Sequence, residues 1–170
     1  MNWDYLVIIQ HEPKKNNNGE IVLYDDQEES LWNDELISKG SFFLHQASHG
    51  NKLSKYHIEA SIAYWHTIKN DTKEKWENIL QLFNQLLQIE YSPIAALNRT
   101  YALSKANGKA EAIVEAEKLN LEDNHFYFTL LGELYKDIDN IKAKMNFQKA
   151  LSLAKTQTDQ QTIQKNIDSL

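Results

Sequence analysis

The sequence predicts an all-α fold: antiparallel helix pairs in a tetratricopeptide-like right-handed array, with one N-terminal extended loop. Three observations carry that prediction. Only 5 Gly and 2 Pro interrupt 170 residues rich in Leu, Ile, Ala, Lys, Glu and Gln, and both breakers cost most inside helices, so their scarcity means long helices and short joints. Apolar residues recur at steps of three and four along most of the chain, the spacing of one helix face. Successive amphipathic stretches are separated by only a few polar residues, which makes neighbours in sequence pack as antiparallel neighbours in space. With 42% hydrophobic residues the chain can bury one real core and is short for two ordinary domains. The expected organisation is one helical domain over 1–170, with an N-terminal helix end and extended connection at 1–29, helical hairpins at 30–92 and tetratricopeptide-like repeats at 93–170.

Asp4 to His11 reads as a short apolar helix that begins almost at Met1, as the end of a longer element would. Pro13, three Asn and Gly19 then mark a turn-rich connection, with Ile21 to Tyr24 a brief extended run. Ser30 is the expected N-cap of the next helix, with Asn33 and Asp34 in its first turn and Leu31, Ile37, Phe42, Phe43 and Leu44 on its apolar face, reaching about Ala47. His49-Gly50-Asn51 ends it. Ser54 caps a second helix with Ile58, Ser61, Ile62, Trp65 and Ile68 on one stripe and Tyr56, Ala60 and Ala63 on another.

Asp71 or Thr72 caps a third helix, with Trp76, Ile79, Leu80, Phe83 and Leu87 on one side and Leu82, Leu86 and Ile89 on the other. Ser92 caps the fourth, with Pro93 at the first position, where its missing N–H costs nothing. Ile94, Leu97 and Tyr101 are its expected stripe, while Ala95, Ala96 and Ala102 allow close approach. Asn107-Gly108 is a turn. Ala110, Ile113, Val114 and Ala116 mark a short partner helix, and Asp123-Asn124 opens another with Tyr127, Leu130, Leu131 and Leu134. After a tight turn at Asp137 to Asn140, the last pair is expected at Ile141 to Ala154 and Asp159 to Leu170, with Ile163, Ile167 and Leu170 facing inward.

Such pairs suggest a repeat with a period of about 34 residues. The best match is Leu131-Gly132-x2-Tyr135 followed by Ala143-x3-Phe147-x2-Ala150. In a tetratricopeptide unit the small residues let two antiparallel helices touch and the aromatics fill the gap to the next pair. The turn is about one residue short of the usual unit, and the stretch from Ile94 to Leu119 lacks the Gly and Tyr at their usual places, so the repeats are irregular. The expected functional surface is a concave face formed by the first helix of each pair.

Composition narrows the function classes. A net charge of −6 opposes binding to nucleic acid, because phosphate contacts need a basic footprint that displaces counterions. Zero Cys removes disulfides, thiolate zinc and cysteine catalysis, and fits a cytoplasmic protein. No apolar run approaches a membrane span, and Leu6 to Ile9 is too short for a signal-peptide core. His45-x3-His49 has the i, i+4 spacing of a metal clamp but no carboxylate between the two, unlike HExxH, so ordinary surface histidines are the reading. His57 and His66 flank an aromatic-rich face with Tyr56, Tyr64 and Trp65; a packed structural role outweighs a general base. With no nucleophile motif or phosphate-cradling loop, no enzyme, cofactor or metal is expected. A metal-dependent enzyme using His45, His49, His57 or His66 is the rival from another class.

Two polar features stand out. Arg99 is the one arginine among 18 Lys and Arg and sits beside Asn98 in an otherwise apolar helix. A lone Arg where Lys serves elsewhere marks a position needing the planar, multi-donor guanidinium; an interhelical clamp is favoured over a partner contact. Asp25, Asp26, Gln27, Glu28 and Glu29 form an acceptor-rich run before Ser30, read equally as favourable charge at a helix N-terminus or as a dock for a basic surface.

Several motifs occur in one order. Gly19-Glu20-Ile21-Val22-Leu23-Tyr24-Asp25-Asp26-Gln27 precedes Leu31-Trp32-Asn33; a helix ending in Gly40 follows; then come Tyr56-His57-x-Glu59-Ala60-x-Ile62-Ala63, the helix running to His66, Ser92-Pro93 and Ala96-Leu97-Asn98-Arg99. In this order they resemble the C-terminal part of bacterial extracytoplasmic-function sigma factors, in the subgroup with a helical, tetratricopeptide-like extension. The resemblance covers nearly the whole chain; Asn33 stands where that subgroup has Asp, and the regions that bind core RNA polymerase and read promoters are not in this sequence. It implies a cytoplasmic regulatory extension acting through protein contacts with upstream sigma-factor regions, core RNA polymerase or both, with no direct nucleic acid contact and no membrane. Asp25, Asp26, Gln27, Trp32, Tyr56, His66, Asn98 and Arg99 are the candidate contact or clamp residues. The alternative is a free-standing scaffold that binds a peptide or partner helix unrelated to transcription.

Overall fold

The computed structural model describes residues 32–47 and 54–170. Within them the chain is helical in eight segments: α1 (Asp34–Ala47), α2 (Lys55–Thr67), α3 (Lys73–Ile89), α4 (Pro93–Asn107), α5 (Lys109–Leu119), α6 (His125–Tyr135), α7 (Asn140–Leu153) and α8 (Gln157–Asp168). Adjacent helices pack in pairs. The chain divides into two compact units, Met1–Ile89 and Glu90–Leu170. The expected helix at Asp4 to His11, the extended run at Ile21 to Tyr24 and the Ser30 cap lie outside the described residues.

In the first unit each helix start has its own solution to the unpaired N–H groups of a first turn. Asn33 Oδ1 accepts from the Leu36 N–H at 3.0 Å, so α1 is capped by the residue expected inside its first turn. Ser54 and His57 form a capping box, the Ser54 hydroxyl 2.6 Å from His57 Nδ1 and the Ser54 N–H donating to the same nitrogen at 3.3 Å. Thr72 rather than Asp71 caps α3, its hydroxyl accepting from the Lys75 N–H at 3.2 Å. Buried Trp32, Ile58, Ile62, Ala63, Trp76, Ile79, Leu80, Phe83 and Leu86 make this unit's core. The expected stripes need correction at several positions. Phe42, Phe43 and Tyr56 are exposed, and Trp65 and Ile68 are only half-buried. A core that needs one face of a short helix leaves its other large side chains outside, and period alone does not say which face wins.

In the second unit the pairs α4/α5 and α6/α7 stack, and α4 also reaches α6, so the first helices of successive pairs are neighbours. Alanine makes this closeness possible. Ala95, Ala96, Ala102 and Ala106 of α4, Ala112 and Ala116 of α5, and Ala143 and Ala150 of α7 are all buried. The inward stripe of α4 therefore contains Ala96, Leu97, Thr100 and Leu103, while Ile94 and Tyr101, expected there, are half-buried. On α5 the buried positions are Ala112 and Ala116, with Ala110 and Val114 outside and Ile113 half-buried. Thr100 keeps its hydroxyl satisfied on its own helix, donating to the Ala96 carbonyl at 2.9 Å.

The joints follow from local chemistry. Ser92 Oγ accepts from the Ala95 N–H at 3.1 Å, with Pro93 at the first position. Gly108 joins α4 to α5 at φ 102°, ψ 161°, a region open to glycine almost alone. Asn124 Oδ1 accepts from the N–H groups of Phe126 at 2.9 Å and Tyr127 at 3.3 Å, and Asp139 Oδ1 accepts from the Lys142 N–H at 3.0 Å. Thr156 Oγ1 accepts from the Asp159 N–H at 3.1 Å, so α8 begins at Gln157, one half-turn before the expected Asp159. Ile163 is its buried residue; Ile167 and Leu170 are half-buried rather than core. At the α6/α7 crossing, Gly132 lies against the ring of Phe147, which is fully buried.

Candidate interaction surfaces

The residues singled out in the sequence fall into separate places. Asp25, Asp26, Gln27 and His49 lie outside the described residues. Trp32 is part of the first unit's core, one residue before the Asn33 cap. Tyr56 projects from the first turn of α2, 77% exposed. His45 is exposed in the last turn of α1. His57 is occupied by the capping box, where its nitrogen takes the place that Glu or Gln usually fills.

His66 belongs to a polar and aromatic cluster around the α2–α3 joint. Its ring meets Trp76 edge-on, centroids 5.8 Å apart at 74°, and the Trp76 indole N–H donates to the Asp71 carboxylate. Lys75, absent from the sequence reading, is the central residue here. It is 1% exposed, its Nζ donates to the Ile68 carbonyl at 2.8 Å, and the ammonium stands 5.5 Å from the Trp76 ring centroid. An ammonium on the terminal carbonyls of α2 sits at the negative end of the helix dipole. The sequence carried the signal: Lys75 is on the same stripe as Ile79, Phe83 and Leu86, at steps of four, four and three.

In the second unit Asn98 and Arg99 are half-buried on α4. Arg99 Nη1 lies 3.8 Å from Glu115 Oε2, an ion pair that ties α4 to α5. Glu115 is shared, because Lys118 Nζ also holds its Oε1 at 2.5 Å. The hydrogen bond from Lys118, with the charges of Lys118 and Arg99 behind it, holds the Glu115 carboxyl below its ordinary range against an opposing effect of burial. A second tie joins α6 to α5: the Tyr135 hydroxyl donates to Glu117 Oε1 at 2.5 Å. That bond, then burial and the neighbouring carboxylates of Glu117 and Asp139, push the Tyr135 phenol up to about 12. Tyr127 is also raised, by burial first and then by the charges of Glu117 and Glu122. Lys109 Nζ closes the end of α6 on the Lys136 carbonyl at 2.9 Å.

These ties hold helices together. Among the described residues no three His, Asp or Glu side chains stand together as a metal-holding group, and no helix is long and apolar enough to cross a membrane. What remains outside is apolar area of the kind that marks contact surfaces. In the first unit Phe42 and Phe43 project side by side, edge to face at 5.6 Å. In the second, Ile138, Ile141 and Met145 project from α7 and the turn before it. Sequence periodicity gave Phe42 and Phe43 to the core, because it detects an apolar residue and not what covers it.

The chain is similar to an uncharacterized protein of Rhizobium meliloti (strain 1021), 29% identical over 172 residues that make up 97% of this chain and 41% of that protein. The chain thus spans about two fifths of the length of this curated relative. No family model and no solved structure matches it.

Proposed function

We propose that this chain is the C-terminal regulatory, protein-interaction domain of a cytoplasmic RNA polymerase sigma factor of the extracytoplasmic-function group, modulating transcription initiation through contacts with upstream sigma-factor regions, core polymerase or both. The observation that carries the reading is the colinear run of motifs from Gly19-Glu20 through Tyr56-His57 to Asn98-Arg99. Three further features support it. The fold is a set of packed helix pairs, an architecture that presents surfaces rather than a catalytic pocket. Large apolar side chains remain exposed on both units. The matched relative is more than twice as long as the stretch it shares with this chain, which leaves room there for other regions.

On this reading the domain carries no catalytic activity and touches no DNA, since its net charge of −6 repels phosphate. The decisive experiment begins upstream of the Met1 codon in the source genome. The expected result is an in-frame continuation encoding helical polymerase-binding and promoter-reading regions, and co-purification of those regions or of core polymerase with this chain. A stop codon followed by a ribosome-binding site, together with no association with either, would overturn the reading in favour of a free-standing scaffold.

A further inference from the structure

On α7 the core and the surface divide sharply. Ala143, Phe147 and Ala150 are fully buried. Ile141 and Met145, half a turn round the helix from them, are 77% and 63% exposed. At 100° per residue Ile141, Met145, Gln148 and Ser152 form one outward stripe. Ile141, Met145 and Gln148 make one wall of a groove whose other wall is Ile167 of α8 and Leu170 just beyond it, with Lys144 between them. The opposite flank of the stripe carries Lys142 and Lys149, which lean over Tyr135 and Phe128 of α6 but remain exposed. From Asn140 to Leu153 the helix has three lysines and no acidic residue. In a chain of net charge −6, this is a local reversal of sign around an apolar stripe.

We propose that the α7–α8 groove is a docking site for an amphipathic helix whose apolar face is bordered by Asp or Glu. The stripe from Ile141 to Ser152 extends about 16 Å at the helical rise, enough to seat three turns of a partner whose apolar side chains recur at steps of three and four. Acidic flanks would meet Lys144 on one side and Lys142 and Lys149 on the other, which fixes the partner's orientation as well as its charge. The same charges argue against a second copy of this chain. A two-fold contact places like surface on like, and here that sets lysine against lysine. The proposal goes beyond the transcription reading and does not depend on which protein supplies the helix.

The test uses the whole chain and two synthetic helical peptides of roughly five turns, sharing one leucine stripe, with Glu flanks in one and Lys flanks in the other. Binding is followed by fluorescence anisotropy at low salt, alongside sedimentation of the chain alone. The Glu-flanked peptide should bind about tenfold more tightly than its twin, since each of three exposed lysines contributes a factor of about two. Lys144→Glu should cut that preference, and Ile141→Asp with Met145→Asp, both at exposed positions, should abolish binding while the thermal melt stays in place. Equal binding of the two peptides, or binding indifferent to these substitutions, overturns the proposal. So does a dimer of the chain that Ile141→Asp dissociates. Co-purification with sigma regions in the absence of peptide binding defeats this proposal alone; peptide binding without co-purification defeats only the transcription reading.

Discussion

Replacing Gly132 by Ala tests the packing on which the second unit is built. A Cβ at this position would lie 2.5 Å from Phe147 Cε1, 2.6 Å from Cδ1 and 2.8 Å from Cζ, so reaching ordinary contact at 3.4 Å requires a shift of about 0.9 Å. The ring has nowhere to go, because Phe147 and its helix neighbours Ala143 and Ala150 are all 0% exposed. Overpacking of this kind costs about 1–3 kcal/mol. Alanine in place of glycine inside a helix recovers about 1 kcal/mol, leaving a net loss of up to about 2 kcal/mol, at about 4–8 °C in melting temperature per kcal/mol for a unit of this size. Far-UV circular dichroism is the suitable signal, since the sequence has no tryptophan from Glu90 to Leu170. Phe147→Leu alone should cost about 1–2 kcal/mol through the cavity it leaves, but should relieve the clash, so that the double variant is more stable than additivity predicts by about 1 kcal/mol. If Gly132→Ala raises the melting temperature, or the two changes add, Gly132 is not there for close approach and the reasoning fails.

Two further outcomes are expected. Lys75→Ala should destabilise the first unit by about 2–4 kcal/mol, read by urea titration of tryptophan fluorescence, because it empties a fully buried site and strips the Ile68 carbonyl of a donor; Lys75→Met, which keeps the stem, should recover more than half of that loss, and equal losses in the two variants would show that packing of the stem counts for little. The Tyr135 phenol, held at about 12 in the folded chain against about 10 in the unfolded one, favours the folded state fully below pH 10 and loses that contribution as pH rises through 12. The alkaline fall in melting temperature should therefore be shallower in Tyr135→Phe, which starts lower by about 1 kcal/mol; parallel profiles would mean that the bond to Glu117 does not carry the shift.

Helix content and joints were written locally, and so the sequence alone determined them. Scarce Gly and Pro, the Ser54, Ser92, Asn124 and Asp139 caps, Pro93 at a first position and Gly108 at a turn each act within a few residues of themselves. That Gly132 marks a close approach of two helices was legible from the repeat spacing, while the residue it meets, Phe147 of the same pair, was not. Partners distant in sequence could not be read that way. Nothing near Arg99 points to Glu115, nothing near Tyr135 points to Glu117, and Lys75 went unread although it shares a stripe with Ile79 and Phe83. Apolar periodicity likewise assigned Phe42 and Phe43 inward. A helix face becomes core only when another element covers it, and coverage is a property of the packed chain. The sequence by itself determined that this protein is a series of capped, amphipathic helices joined by short turns. Only the tertiary structure decided which charges are buried, which helices are tied together, and which apolar stripes are left uncovered.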